Sequence, residues 1–339
     1  MRVMERANWA TRANLAELVG ILLVVAGCSS RSSGGGVGGR AGDAGRSGGS
    51  GSGGTTGASG GGGGGAGSTT ACGFVMPNPA SSGLPNPASY DTSVAGIVTD
   101  TVTGLAWEHD VSGSTYTAAG ARAYCQASTL GGHSDWRLPA VVELTSLLDY
   151  SRAWPMIDPV AFPNTPADFY WASTSWGGSN SITWVVDFDA GESTSKDDSD
   201  MYHVRCVRAA GTPAPRCASA ASRYQVSGGL VSDALTGLTW QKTISDQRVS
   251  WDAARTQCAS LGAGFRLPSL TELPTLIDYT VPLNNPSLDL NAFPGTPADE
   301  FWTSSTVAAA TGSAWILSFS SGVTNTSDVT FVAYSRCVR

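Results

Sequence analysis

Charge is scarce in this chain. Asp, Glu, Lys and Arg make up 14% of its 339 residues, with 27 acidic against 20 basic side chains. Without a basic excess there is no electrostatic footprint for a phosphate backbone, which excludes a nucleic-acid partner. Histidine is scarcer still: His109, His133 and His203 all fall before residue 209, and none stands at the spacing of a zinc ligand set. No Ser/His/Asp or Cys/His catalytic signature emerges, so an enzyme is not expected. The first thirty residues also lack the ~20 apolar positions that a spanning helix needs. Their apolar run, Leu18 to Gly27 (LVGILLVVAG), follows Arg2, Arg6 and Arg12 and has the length of a cleavable export signal, residues 1–27.

That run ends in Val25-Ala26-Gly27-Cys28, which resembles a bacterial lipobox. Acyl chains on Cys28 would anchor the chain to a membrane, at ~0.8 kcal/mol per buried CH₂. Ser29, where an Asp would otherwise stand, favours an outer-membrane lipoprotein by resemblance to Gram-negative lipoproteins, facing either the periplasm or the cell surface. Residues 28–70 are then a Gly/Ser-rich disordered tether, too poor in apolar groups to offset the entropy of ordering. Its 42 residues from Ser29 to Thr70 correspond to a coil of ~35 Å. Glycine recurs at every third position from Gly39 to Gly51, but without proline this is a spacer and not a collagen strand.

Beyond the tether the chain repeats itself. DWRLPAVVELTSLLDY (135–150) returns as GFRLPSLTELPTLIDY (264–279), VTDTVTGLAW (98–107) as VSDALTGLTW (231–240), and Cys206-Val-Arg208 as Cys337-Val-Arg339. Offsets of 129 to 133 place the indels in loops. Copy one occupies residues 71–208, a short Ala/Pro junction 209–216, and copy two 217–339. Each copy predicts two short strands around an Asp/Gly turn at Asp100 and Gly104. An Ala-rich helix follows, Tyr116 to Ala127 or Ser250 to Leu261, with Ser250 as N-cap. The second helix after RLP has Val141, Leu144, Leu147 and Leu148 on one face. Ser269 and Glu272 form a capping box that Ala140 denies to copy one, and Pro274 shortens the helix in copy two. Proline-rich loops and β-like runs (YWAST, ITWVVDF, HVRCVR; FWTSS, AWILSF, YSRCVR) complete an α+β fold.

Six cysteines remain after Cys28. In an exported chain they predict disulfides. The matched pairs Cys125–Cys206 and Cys258–Cys337 each close about 80 residues, worth ~4.5 kcal/mol by loop-closure entropy. Elimination leaves Cys72–Cys217 to lock the copies together. Arg137 with Glu143, and Arg266 with Glu272, predict an ion pair across each strand-to-helix turn. Trp107/Trp240, Trp171/Trp302 and Trp184/Trp315 recur in both copies and predict core.

The ordered motifs V-x-D-x-x-T-G-L-x-W, W-R-L-P-x-x-x-E-L-x-x-L-x-D-Y, F-P, W-x-S-T and R-C-V-R resemble the Lcl C-terminal domain family across 90–208 and 224–339. That resemblance implies two tandem C-type-lectin-like domains, each with two helices and a mostly antiparallel sheet. RLP-x-x-x-E also looks like an element of formylglycine-generating enzymes, which puts an enzyme third among the readings. The family is named for a collagen-like adhesin associated with glycosaminoglycan binding. Copy one, however, carries 15 acidic against 6 basic residues, net −9, and copy two 9 against 7, net −2. An acidic surface repels sulfated glycans, so a neutral glycan or an envelope or extracellular protein is the expected ligand.

Features confined to one copy are not needed for the fold. Trp154 and Trp176 face Leu283–Asn285 and Val307 in the other copy, and loop tryptophans stack on sugar rings. The acidic stretch holding Asp187, Asp189, Glu192, Asp197 and Asp198 is a candidate Ca²⁺ site, although neither an EF-hand nor an EPN or QPD signature is present. The leading expectation is a surface-tethered, non-catalytic, adhesin-like binding module. A structural envelope or matrix component without a small ligand is the alternative.

Overall fold

The computed structural model describes residues 74–177, 179–211, 223–279 and 286–339. All of them belong to one compact unit, Gly65–Arg339. The export signal, Cys28, the tether and the Cys72–Cys217 pairing lie outside the described residues.

Copy one contains β1 (Tyr90–Asp91), β2 (Ile97–Asp100), β3 (Leu105–Glu108), α1 (Ala118–Ala127), α2 (Val141–Thr145), β4 (Phe169–Ser175), β5 (Ile182–Asp187), β6 (Ser193–Asp197) and β7 (Val207–Ala209). Copy two contains β8 (Tyr224–Ser227), β9 (Leu230–Asp233), β10 (Thr239–Gln241), α3 (Trp251–Ser260), β11 (Glu300–Thr306), β12 (Ser313–Ser318) and β13 (Thr324–Asp328). The sheets run β1-β2-β3-β7 and β4-β5-β6 in the first copy, and β8-β9-β10 and β11-β12-β13 in the second. Every strand pair is antiparallel. The α+β, mostly antiparallel expectation holds in both halves. Strands β6 and β13 were not foreseen, because STSKD and TNTSD are polar throughout and show no hydrophobic alternation.

Local chemistry explains the elements. Thr117 Oγ1 accepts the Gly120 amide at the start of α1, and Ala118, Ala121 and Cys125 turn one small-residue face into the core. Ser250 holds the equivalent cap position before α3, but its side chain makes no capping bond. Glu143 Oε2 accepts the Ala140 amide at 2.8 Å, half of a capping box. In copy two the box closes: Ser269 N donates to Glu272 Oε2 and Glu272 N to Ser269 Oγ. Pro274 leaves only the 3-10 turn Leu273–Leu276 where copy one forms α2.

Disulfides Cys125–Cys206 and Cys258–Cys337 tie each first helix to the last segment of its copy, over sequence separations of 81 and 79. Arg137 grips Glu143 with two bonds of 2.6 and 2.7 Å, and Arg266 grips Glu272 with two of 2.7 Å. All six paired tryptophans are buried. A further duplicated device had no sequence expectation attached: Arg205 and Arg336 are wholly buried and form no direct ion pair among the described residues. Each stacks 4.7 Å over a phenylalanine (Phe162, Phe293) and donates to two backbone carbonyls and a threonine hydroxyl. Burial pushes the pKa of both guanidinium groups down, Arg336 to about 9.

Candidate functional site

The two copies meet along β6 and β13, and the meeting is nearly symmetric. Trp184 of copy one rests on Gly322 of copy two, where an added Cβ would lie 3.1 Å from Cη2. Trp315 of copy two rests on Gly191 of copy one, where the same distance is 3.0 Å. Both glycines sit in hairpin turns at φ of +74° and +79°, so no larger residue fits without strain. Ser193 N donates to Thr324 Oγ1 at 2.8 Å across the seam.

The two ends of the seam differ. Met156 and Ser287 hold the same backbone place: Asp149 N bonds Met156 O and Met156 N bonds Phe188 O, while Asp278 N bonds Ser287 O and Ser287 N bonds Phe319 O. The Met156 thioether fills its end against Gly191, beside Trp315. Ser287 is too short to do so. The space left is a cleft of about 210 Å³, counting its solvent-open mouth, walled by Trp176, Gly177, Trp184, Ile277, Asp278, Tyr279, Ser287 and Ser321. The part of it that water can enter is no larger than one water molecule.

The paired tyrosines differ likewise. Tyr150 Oη donates to the side-chain oxygen of Asn78 at 3.0 Å. Asn78 is buried in the leading segment and donates to Glu272 Oε1 of copy two, while Thr271 Oγ1 donates to the neighbouring Pro77 O. Tyr279, the counterpart of Tyr150, has an enclosed hydroxyl with no partner among the described residues. Burial pushes its pKa up. Trp184 Nε1 is also enclosed and unpartnered, as is Trp315 Nε1 across the seam.

The sequence-derived candidates fall into separate places. Trp176 is half-buried in the cleft wall, where copy two has Val307. Trp154 is 60% exposed in the loop before Pro155. Trp176 N bonds Ile182 O at the start of β5, whereas Met156 N bonds Phe188 O just beyond its end. The length of β5, ~20 Å at its usual rise per residue, therefore separates the two tryptophan loops, and they do not form one stacking platform.

The expected calcium set is also divided. Asp187, Asp189 and Glu192 belong to the β5–β6 turn, and Asp197 and Asp198 to the far end of β6. Asp187 Oδ1 accepts the Asp189 amide at 2.8 Å. Burial holds the Asp187 and Glu192 carboxyls above the ordinary range, and bonds from Ser199 hold Asp197 below it. Among the described residues no three His, Cys, Asp or Glu side chains gather as a metal group. Asp187 and Asp197 each close a turn, one at either end of β6, and the five carboxylates do not gather at one place.

Arg137, Glu143, Arg266 and Glu272 serve the turns before α2 and its 3-10 counterpart. Cys125, Cys206, Cys258 and Cys337 are all consumed in disulfides. No helix among the described residues is long and apolar enough to cross a membrane. What the seam supplies is an aromatic wall beside enclosed hydrogen-bonding groups. Sequence reading passed over Ser287 and Asn78. The substitution of serine for methionine was visible in the repeat alignment, but it acquires meaning only beside Trp184.

The model of the Lcl C-terminal domain family matches the chain twice, over residues 96–208 and 229–339. No curated protein matches it.

Proposed function

This chain belongs to the Lcl C-terminal domain family through both of its copies, and on that premise we propose that it is an exported, lipid-anchored, non-catalytic binding module for a glycan or an envelope or extracellular protein. Cys28 carries the anchor, residues 28–70 the spacing from the membrane, and the paired domains the recognition surface. In this reading the domains are C-type-lectin-like and the lipoprotein resides in the outer membrane, in an adhesive role.

The observation that carries it is the aromatic cleft at one end of the seam. The scaffold residues are the same in both copies, and the open space falls where the copies differ: Trp176 against Val307, Ser287 against Met156. Trp154 is a second, separate contact. With Val160, 83% exposed, it puts two apolar side chains on one loop, which supports a protein contact. That loop is also the observation favouring the alternative, a structural envelope component without a small ligand.

The test is a glycan array probed with residues 65–339, with and without calcium. Retention of an uncharged glycan that Trp176→Ala weakens supports the module. An empty array, together with cross-links to envelope proteins through the Trp154 loop, would overturn it in favour of the structural reading.

A further inference from the structure

We propose that the point where the chain enters copy one is a proton-controlled latch: Asp100 holds Ser89 and β1 against the β2–β3 turn when it is uncharged and loosens them when it is ionised. The latch goes beyond the binding-module reading and does not depend on it.

Copy two shows the same entry permanently closed. Asp233, buried at the end of β9, receives two bonds from the Arg223 guanidinium, at 2.9 and 2.8 Å, and a third from the Thr236 hydroxyl at 3.0 Å. Arg223 also donates to Thr275 O at 2.7 Å and stacks 4.6 Å over the ring of Tyr224. A guanidinium keeps its charge throughout the ordinary pH range, so this fastening does not come and go with protons.

Copy one has the same turn without the guanidinium. Tyr90 pairs with Asp100 as Tyr224 pairs with Asp233, which makes the two tyrosines and the two aspartates twins. The residue before the tyrosine is Ser89 in copy one and Arg223 in copy two. Asp100 is fully buried. Its Oδ1 accepts the Val102 and Thr103 amides, and its Oδ2 is enclosed with no partner among the described residues. The backbone bond that closes the entry is nonetheless the same in both copies, Thr101 N to Ser89 O at 3.0 Å and Ala234 N to Arg223 O at 2.8 Å.

No base takes the place of Arg223 beside Asp100. The charged groups acting on the buried Tyr90 hydroxyl are Asp100, Asp149 and Asp158, all acids. Of the arginines on the surrounding elements, Arg152 is bonded to Asp149, Arg208 to Asp135, and Arg205 to two backbone carbonyls and Thr165. Burial raises the Asp100 carboxyl pKa above its ordinary value. The stability that its proton confers is complete below the ordinary carboxylate range and is lost as pH rises through the raised value. Once ionised, Asp100 is a buried anion without a counter-charge, and opening the entry relieves it by admitting water.

The test follows hydrogen exchange at two amides of the full-length chain, Thr101 and its twin Ala234, between neutral pH and the ordinary carboxylate range, with each rate corrected for its intrinsic pH dependence. Protection of Thr101 is expected to rise about fivefold or more on acidification, the lower end of what an unpartnered buried charged group costs, while that of Ala234 stays constant. Ser89→Arg installs the guanidinium that copy two already carries, and Asp100→Asn removes the titrating proton. In both variants Thr101 should be better protected than in the wild type at neutral pH and should no longer respond to acid. Urea unfolding checks that each variant is folded. The latch is overturned if Thr101 and Ala234 respond to acid alike, if acid lowers the protection of Thr101, or if folded Ser89→Arg keeps the wild-type response. The glycan array tests the binding-module reading separately, so either idea can fail without the other.

Discussion

At one end of the seam Met156 lies against Gly191 and Trp315, and Tyr150 bonds Asn78. At the other, Ser287 occupies the same hydrogen-bonded place, Trp184 borders a cleft, and the Tyr279 hydroxyl is enclosed without a partner among the described residues. The turn glycines treat the two ends alike, but copy two runs eight positions from Tyr279 to Ser287 where copy one runs six from Tyr150 to Met156, so the ends differ in loop length, in side-chain volume and in one asparagine. Duplication gives two chances to fill a position. This chain fills one and leaves its twin open, which is why the proposed binding function is placed at the open end.

That comparison can be broken or sharpened by measurement, beginning with the largest effect. The disulfides belong to the half of the molecule that the copies share. Cys125→Ala with Cys206→Ala, and Cys258→Ala with Cys337→Ala, should each lower stability by about 4.5 kcal/mol by loop-closure entropy, measured by urea unfolding. A loss confined to one pair would show that the copies are not energetic equals. Next, Met156→Ser opens the filled end and should cost about 3 kcal/mol, as removal of a buried side chain that leaves a cavity usually does. If the variant melts with the wild type, Met156 does not fill its end in solution.

A smaller contrast separates the tyrosines. Tyr150→Phe removes the shorter of two bonds to the amide oxygen of Asn78 and should cost about 1 kcal/mol, while Tyr279→Phe removes a hydroxyl unpartnered among the described residues and should be neutral or stabilising. Equal losses would show that Tyr279 has a partner.

The smallest effect tests the acidic turn, whose copy-two counterpart places Ser318 and Val323 where copy one has Asp187 and Glu192. Burial raises the Asp187 carboxyl pKa above its ordinary value, so the folded chain takes up that proton at a higher pH than the unfolded chain. The associated stability is complete below the ordinary carboxylate range and is lost as pH rises through the raised value. Asp187→Asn should therefore be more stable than wild type at neutral pH, and the gap should close as the solution is acidified below the ordinary range. A gap that widens on acidification would show that Asp187 is stabilised as an anion.

The repeat, both described disulfides, the Arg–Glu pairs and the six core tryptophans were legible in the sequence because each is written twice at a nearly constant offset. Pro274 and Ser269 announced the altered second helix through local geometry, which needs no tertiary information. The seam was less legible for the opposite reason. Asn78 precedes the repeat and bonds a residue 194 positions away, and no spacing rule reaches that far. Clustering of acids along the chain suggested a cation site, but five residues of extended strand carry Asp187 and Asp198 to opposite ends, and proximity in sequence became distance in space. Trp154 and Trp176 were separated in the same way by β5. Arg205 and Arg336 stood in a motif yet looked like surface charges, since burial of an arginine without an acid depends on carbonyls contributed by a distant strand end.

The leading segment has a mechanical consequence. Phe74 N bonds Leu235 O of copy two, and Pro77 and Asn78 bond Thr271 and Glu272 of copy two, before the chain enters copy one at β1. A pull arriving from the residues before Phe74 therefore loads the second copy first and reaches the first through Tyr150 and β1. Force from an anchor would thus be shared by both copies through one short segment instead of entering the folded unit at a single domain.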